Sequence, residues 1–305
     1  MKEFYSNGKL LITGEYAVLD GAKALAVPTK FGQSLENKAS DAKNIQWNSF
    51  DENEKLWFQG EFEFKNGKIE LISGEESTGR KLQQILNEAH RLNPELFSEE
   101  KGGIEVNTQL NFNKNWGLGT SSTLINNIAG WFEIDAYKLL KNTFGGSGYD
   151  IAAAQNNQPI TYQVTENGPS VLKANFYPEF SGNIFFVYLN EKKNSREAIA
   201  HYKALPAANK KGLTEKISSL TEQFNNCNSL KEFELLINIH ETLLSKALQT
   251  PKVKHERFSD FPGAVKSLGG WGGDFVMVTG EKDEVFKYFG KKGFSTIFAF
   301  EDIVL

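Results

Sequence analysis

Apolar and polar positions alternate through much of the first 70 residues, and this period-two pattern predicts strands joined by hairpins. The apolar runs Leu10 to Ile12 and Tyr16 to Leu19 come first. The segments "IQWNSF", "KLWFQ" and "EFEF" follow and lead into an Asn66-Gly67 turn, as expected of a meander. The period then changes. Leu82, Ile85, Leu86, Ala89 and Leu92 share one helical face, which predicts a helix over about 76 to 92, stopped before Pro94. In "IEVNTQLNF" the residues Ile104, Val106, Thr108, Leu110 and Phe112 alternate with polar neighbours and read as a half-buried strand. A short loop, "NKNW", passes from it into "WGLGTSSTL", after which Leu124, Ile128 and Trp131 or Phe132 have helical spacing.

A short helix is predicted over about 135 to 142, before the glycine-rich "FGGSGYDIAAAQ". "PITYQV" and an Asn167-Gly168 turn restore strand character, and the pattern changes again near residue 175. "NIFFVYL" reads as a buried strand, and three long helical stretches fill about 195 to 250 before Pro251. "GGWGGDFVMVTG" is a glycine loop feeding a strand, and a helix and a strand close the chain. Two domains are expected, 1–175 and 176–305. No repeat or low-complexity segment interrupts them.

Composition narrows the classes of function. The 305 residues are 40% hydrophobic, 12% aromatic and 24% charged, enough to bury a core and unlike a disordered chain. A net charge of -4 with no long basic run does not resemble the footprint of a nucleic-acid binder. The single cysteine, Cys227, excludes an internal disulfide framework and a cysteine-based metal cluster, and suits a reducing compartment. His90, His201, His240 and His255 match no zinc spacing, since "HETLL" places Leu244 where a metalloprotease helix needs its second histidine; they are expected to be structural. No apolar run reaches the ~18 to 20 residues of a membrane span, and no signal-peptide core follows Met1, so a cytoplasmic enzyme is expected.

The chemistry concentrates in "WGLGTSSTL". A strand, a glycine loop and a helix start together favour an anion, through open backbone N–H groups and the helix dipole. Thr120, Ser121 and Ser122 add hydroxyls for phosphate oxygens or a phosphate-bound Mg2+. A plain serine-capped helix after a glycine turn is the ordinary alternative. The loop lacks the lysine of a Walker A motif, and Ser122 stands where a dinucleotide fingerprint needs glycine. Its cation must therefore come from elsewhere in the chain.

Three separated stretches supply a resemblance. "GKLLITGEYAVLDGAKALAVP", "GLGTSSTLINN" with "GGSGYDIAAAQ", and "GAVKSLGGWGGDF" are similar, in that order, to the motifs of the GHMP kinases, the family of galactokinase, homoserine kinase, mevalonate kinase and phosphomevalonate kinase. The resemblance implies an α+β, two-domain fold: an N-terminal ATP-binding domain like ribosomal S5 domain 2 and a C-terminal ferredoxin-like domain. It implies ATP and Mg2+ as cofactors and a small-molecule acceptor, with no nucleic-acid or membrane partner. Gly117, Leu118, Gly119, Thr120, Ser121 and Ser122 would wrap the ATP phosphates, with the Ser121 hydroxyl on Mg2+. Lys9 matches the lysine of the first motif, and Asp150 the aspartate that serves as catalytic base. Glu15, Tyr16, Ser147, Gly148, Gly269 and Gly270 are the expected acceptor contacts. From local sequence alone, Asp150 equally reads as a helix N-cap and Lys9 as a solvated lysine.

Details resemble the phosphomevalonate kinase branch: Tyr16 after Glu15, the form of "GSGYDIAAA", and Lys266, Ser267 and Asp274 in the third motif. Two departures stand out. Leu139 occupies the position of a Mg2+-binding glutamate in mevalonate kinases, with Glu133 and Asp135 the nearest carboxylates, and Trp271 replaces a motif glycine. A phosphorylated acceptor would need further cations, for which Lys192, Lys193 and Arg196 are candidates, against a solvated charge run.

Overall fold

Most of the alternating segments of the N-terminal half become hydrogen-bonded strands in a computed structural model that describes residues 1–96, 102–192 and 195–305. The chain divides into two compact units. The first holds Met1–Gly8, Phe31–Lys114 and Leu118–Gln155, the second Lys9–Lys30, Asn115–Gly117 and Asn156–Leu305. The last break of this division falls at Gln155, whereas the sequence pattern changes near 175; the hairpin of 160 to 173 lies between the two positions.

In the first unit, β1 (Lys2–Thr13) and β2 (Ala24–Ser40) each contribute one end, because both strands run on into the second. The strands β3 (Ile45–Phe50), β4 (Leu56–Lys65) and β5 (Lys68–Gly74) form the expected meander, and β6 (Gly103–Leu110) lies parallel to β3 and antiparallel to β2. The hydrogen-bonded order here is β5-β4-β3-β6-β2. Asn66 (φ 52°) and Gly67 (φ 72°) both have positive φ, so the two-residue turn matches the twist of its strands. "KLWFQ" and "EFEF" run through Gly60 as the single strand β4, with an irregular register against β5 between Glu61 and Phe62.

Among the described residues four helices complete this unit: α1 (Glu76–Leu92), α2 (Thr120–Phe132), α3 (Ala136–Thr143) and α4 (Tyr149–Ala154). Leu82, Ile85, Leu86 and Ala89 of α1 join Ile128 and Phe132 of α2 in a core with Trp47, Phe62, Ile69 and Val106 of the sheet. Each large side chain buried there contributes roughly 1.5–3 kcal/mol. Leu139 of α3 belongs to the same core and is fully buried.

In the second unit, Ala24 to Ala26 of β2 pair with β7 (Ile160–Thr165), which pairs with β8 (Gly168–Lys173). The remaining elements are β9 (Ile184–Tyr188), α5 (Ser195–Ala204), α6 (Ala207–Lys210), α7 (Leu213–Asn225), α8 (Leu230–Leu248), α9 (Val253–Arg257), β10 (Val265–Leu268), β11 (Phe275–Thr279), α10 (Lys282–Lys291), β12 (Ile297–Ala299) and α11 (Phe300–Ile303). An antiparallel sheet of order β10-β11-β9-β12 carries the core of Phe185, Val187, Val276, Val278, Val285 and Phe289. Every residue of β9 and β11 is buried, which explains their unbroken apolar runs.

Two expectations are corrected in this unit. "YAVL" is a single 3-10 turn over Ala17–Asp20, closed by Gly21 at φ 86°, and not a strand. Four helical segments, and not three, fill 195 to 248, because Pro206 and Gly212 interrupt the first stretch. Among the described residues no helix is long and apolar enough to cross a membrane.

Candidate functional site

The glycine loop starts in the second unit with Gly117 and continues in the first with Leu118 to Ser122. Leu118 is fully buried. Gly119, at φ 100°, is the residue before α2, a conformation that costs an L-residue roughly 1–2 kcal/mol. No side chain caps α2, so the serine-cap reading is replaced by a glycine start. The Ser122 hydroxyl donates back to Gly119 O at 2.8 Å, while Ser121 stands exposed in the first turn. An uncapped helix start keeps its N–H groups for an anion.

A cationic side chain stands at the loop's first residue. Lys9 Nζ donates to Gly117 O at 2.8 Å, across 108 positions of sequence, and the lysine is half-buried instead of solvated. Gly117 has φ 70°, and a Cβ there would lie 2.6 Å from Asp274 Cγ. Close approach of the Asp274 carboxyl therefore requires glycine at this position.

Ser147, Gly148 and Asp150 belong to the first unit. Gly148, at φ 91°, precedes α4, so Asp150 is a first-turn residue and not the N-cap. Its Oδ1 accepts the Ile151 N–H at 3.1 Å, and the side chain is partly exposed. Burial pushes the Tyr137 hydroxyl up to about 12, helped by the negative charges of Asp135 and then Asp150.

Glu15 of the second unit is only 2% exposed. Lys266, with no exposure, donates to Glu15 Oε1 at 2.5 Å and to Ser267 O at 3.0 Å. Two residues of α8 complete a buried quartet. Gly14 N–H donates to His240 Nε2 at 3.3 Å, Glu15 Oε2 lies 3.3 Å from the same nitrogen, and Glu241 Oε1 is 4.0 Å from Lys266 Nζ. Burial raises the Glu15 carboxyl above the usual range, with Lys266 opposing it, and pushes Glu241 up to about 8. Burial, then the Lys266 charge, holds His240 well below its ordinary value, so the imidazole is neutral. Both Glu241 oxygens, Glu15 Oε2, His240 Nδ1 and Ser267 Oγ lack hydrogen-bond partners.

The third motif meets the first within the same unit. Trp271 N–H donates to the Tyr16 hydroxyl at 2.9 Å, Trp271 Nε1 donates to Pro251 O at 2.9 Å, and the Tyr16 ring stacks on Tyr202 at 5.6 Å. Burial raises the Tyr16 hydroxyl above its ordinary value. Gly269 turns at φ 68°, and Gly270 is buried. Among the described non-glycine residues with positive φ, Tyr16 and Asp274 alone are buried; the other five lie in exposed turns. Each such conformation is strained and held by its surroundings, a pattern associated with functional positions.

The residues fit Mg2+ only in part. Ser121 offers an exposed hydroxyl oxygen beside the helix start, a suitable donor to a phosphate-bound ion. The position and the two carboxylates singled out for the second metal ligand do not supply one: Leu139 is in the core, Glu133 pairs with Lys2 at 3.5 Å, and Asp135 caps α3 through the Tyr137 and Lys138 N–H groups. Among the described residues no cluster of three histidine, cysteine or acidic side chains could hold a metal. Lys192 is exposed, whereas Lys193 and the side chain of Arg196 lie outside the described residues.

Three of the sequence-derived residues thus gain partners from other motifs: Lys9 with Gly117, Glu15 with Lys266, and Tyr16 with Trp271. His240 and Glu241 were missed as members of a polar cluster. Their signal was readable, since with Ile237 and Leu244 they share the buried helical face of α8.

No family model matches the sequence, and no curated protein matches it significantly. Solved structures do match over nearly the whole chain. The mevalonate kinase of Methanococcus jannaschii superposes with a TM-score of 0.68 at 19% identity, over 97% of this chain and 96% of that one. Phosphomevalonate kinase of Streptococcus pneumoniae, in complex with phosphomevalonate and AMPPNP, gives 0.68 at 16% identity and 96% of each chain. Galactokinase of Lactococcus lactis, complexed with galactose, gives 0.69 at 12% identity, over 97% and 92%. The chain is similar to these kinases in fold, an α+β architecture shared along its length.

Proposed function

We propose that this chain is an ATP-dependent phosphotransferase of the GHMP kinase type, acting on a small-molecule acceptor of which 5-phosphomevalonate is the preferred case. The observation that carries the reading is the glycine loop: an uncapped helix start with the Lys9 ammonium fixed on the carbonyl of Gly117. Phosphoryl transfer needs charge neutralisation, an aligned acceptor and a place for the acceptor proton. The N–H groups of Thr120 to Ser122 and the α2 dipole bind phosphate oxygens, and Lys9 supplies positive charge. Asp150 receives the proton of an alcohol, or orients an acceptor whose oxygen is already ionised. Glu15 is assigned to support of the Gly14 to Tyr16 turn through Lys266, because its buried carboxylate is engaged there. Mg2+, held by ATP phosphates and the Ser121 hydroxyl, would supply charge stabilisation when bound.

The likeness to phosphomevalonate kinase in "GEYAVL", "GSGYDIAAA" and "KSLGGWGGDF" supports the choice of acceptor. The test is ADP release with mevalonate, phosphomevalonate, homoserine and galactose side by side. Turnover with mevalonate or a sugar alone would replace the preferred substrate with another alcohol. Asp150→Asn and Lys9→Met are each expected to remove most turnover while nucleotide binding persists; wild-type rates in both would overturn the assigned roles.

A second reading follows from one observation, the burial of Leu139 where a metal-binding glutamate stands in mevalonate kinases. It is a catalytically silent ATP-binding module. Calorimetric ATP binding with no product from any acceptor would favour it.

A further inference from the structure

In α2, Asn126 and Asn127 stand next to each other in the middle of the helix, where asparagine is less favourable than alanine because its amide competes for the backbone. Local rules broken without local gain mark positions that serve something else. Both amides belong to one directed chain of hydrogen bonds inside the first unit. Gln155 Nε2, just past the end of α4, donates to Asn126 Oδ1 at 2.8 Å. Asn126 Nδ2 donates to Ser6 Oγ at 2.9 Å, Ser6 Oγ donates to Asn127 Oδ1 at 2.6 Å, and Asn127 Nδ2 donates to Gln33 O at 2.9 Å.

The far end of the chain reaches the glycine loop. Thr123 Oγ1 lies 2.7 Å from Gln33 Oε1 and 3.1 Å from Gly119 O. Ser6, Gln33, Thr123 and Asn127 are each at most 2% exposed. The four links from Gln155 to Gln33 run in one direction, with Thr123 donating to Gln33 from the loop side: Ser6 spends its single proton on Asn127 and its lone pair on Asn126. Turning either asparagine amide over would break two bonds at once, so the chain fixes orientation as well as distance.

We propose that Ser6, Asn126 and Asn127 are positioning residues that hold α4, and with it Asp150, in register with the phosphate-loop end of α2. The inference rests on the phosphotransferase reading for its kinetic consequence, and on geometry alone for its structural one. A proton acceptor displaced by about 1 Å loses much of its effect, whereas phosphate binding at the loop depends on backbone groups that the chain leaves in place.

The experiment uses the full chain with Ser6→Ala and, as a second variant at a less buried position, Asn126→Ala. Hydrogen exchange by mass spectrometry reads the α4 amides of Ala152 and Gln155, which bond to Gly148 O and Ile151 O. Both variants are expected to exchange faster there, with α3 unchanged. In the acceptor that turns over, kcat is expected to fall roughly ten- to a hundredfold with the KM for ATP within about twofold. Unchanged α4 exchange in a folded variant overturns the proposal, as does a raised KM for ATP with kcat intact. If the wild type turns over no acceptor, the phosphotransferase reading fails, and the exchange measurement still decides the positioning claim by itself. If Ser6→Ala does not fold, the same two measurements on Asn126→Ala decide between these outcomes.

Discussion

Glu241→Gln is expected to stabilise the protein, and increasingly so as the pH rises. The Glu241 carboxyl is 1% exposed, its two oxygens find no partner of good hydrogen-bond geometry among the described residues, and Lys266, 4.0 Å away, gives its donors to Glu15 and Ser267. Burial dominates and lifts the carboxyl from 4.5 to about 8. A raised folded value means that the folded state binds this proton more tightly than the unfolded state. Its stabilising contribution is therefore complete below pH 4.5 and is lost as the pH climbs to 8. At about 1.4 kcal/mol for each pH unit, the loss is about 3 kcal/mol at pH 7 and about 5 kcal/mol above pH 8. Glutamine keeps the shape and the neutral charge at every pH, so the variant escapes that loss. Urea denaturation followed by far-UV circular dichroism, at pH 5, 6, 7 and 8, measures it. The difference between variant and wild type cancels, to first order, the similar loss from Glu15 and the opposite-signed one from His240, whose lowered value costs stability as pH falls below 6.5. A difference that stays flat from pH 5 to 8 would refute the burial argument.

Lys266→Met leaves Glu15 buried without its cation and should cost about 3–5 kcal/mol at pH 7, read by the same denaturation; adding Glu15→Gln should recover much of it. Gly117→Ala drives a methyl into the Asp274 carboxyl at 2.6 Å and forces φ 70° on alanine, so a lowered melting temperature and weakened nucleotide binding by calorimetry are expected. Gly119→Ala should cost about 1–2 kcal/mol at the start of α2, with loss of phosphate affinity exceeding the loss of stability; equal nucleotide affinity in the variant would separate the loop from phosphate binding.

The sequence by itself determined most local elements and nominated the parts of the candidate site. Alternation and helical spacing located β3, β6, α1 and α2, because side-chain direction repeats every 2.0 or 3.6 residues whatever the rest of the chain does. Glycine and serine spacing marked the candidate phosphate loop, and the motifs nominated Lys9 and Asp150. Local pattern failed where backbone geometry overrode it: "YAVL" turns at Tyr16, whose φ of 60° no hydropathy pattern encodes. Tertiary structure alone decided the pairings across long stretches of chain. It brought Lys9 to Gly117 over 108 residues, Glu15 to Lys266 over 251, and Ser6 to Asn127 over 121. It also turned His240 and Glu241 inward against that ion pair. Such contacts depend on which faces the fold closes on one another, and burial there shifts the protonation of Glu15, His240 and Glu241, a property that no residue carries until its surroundings exclude water.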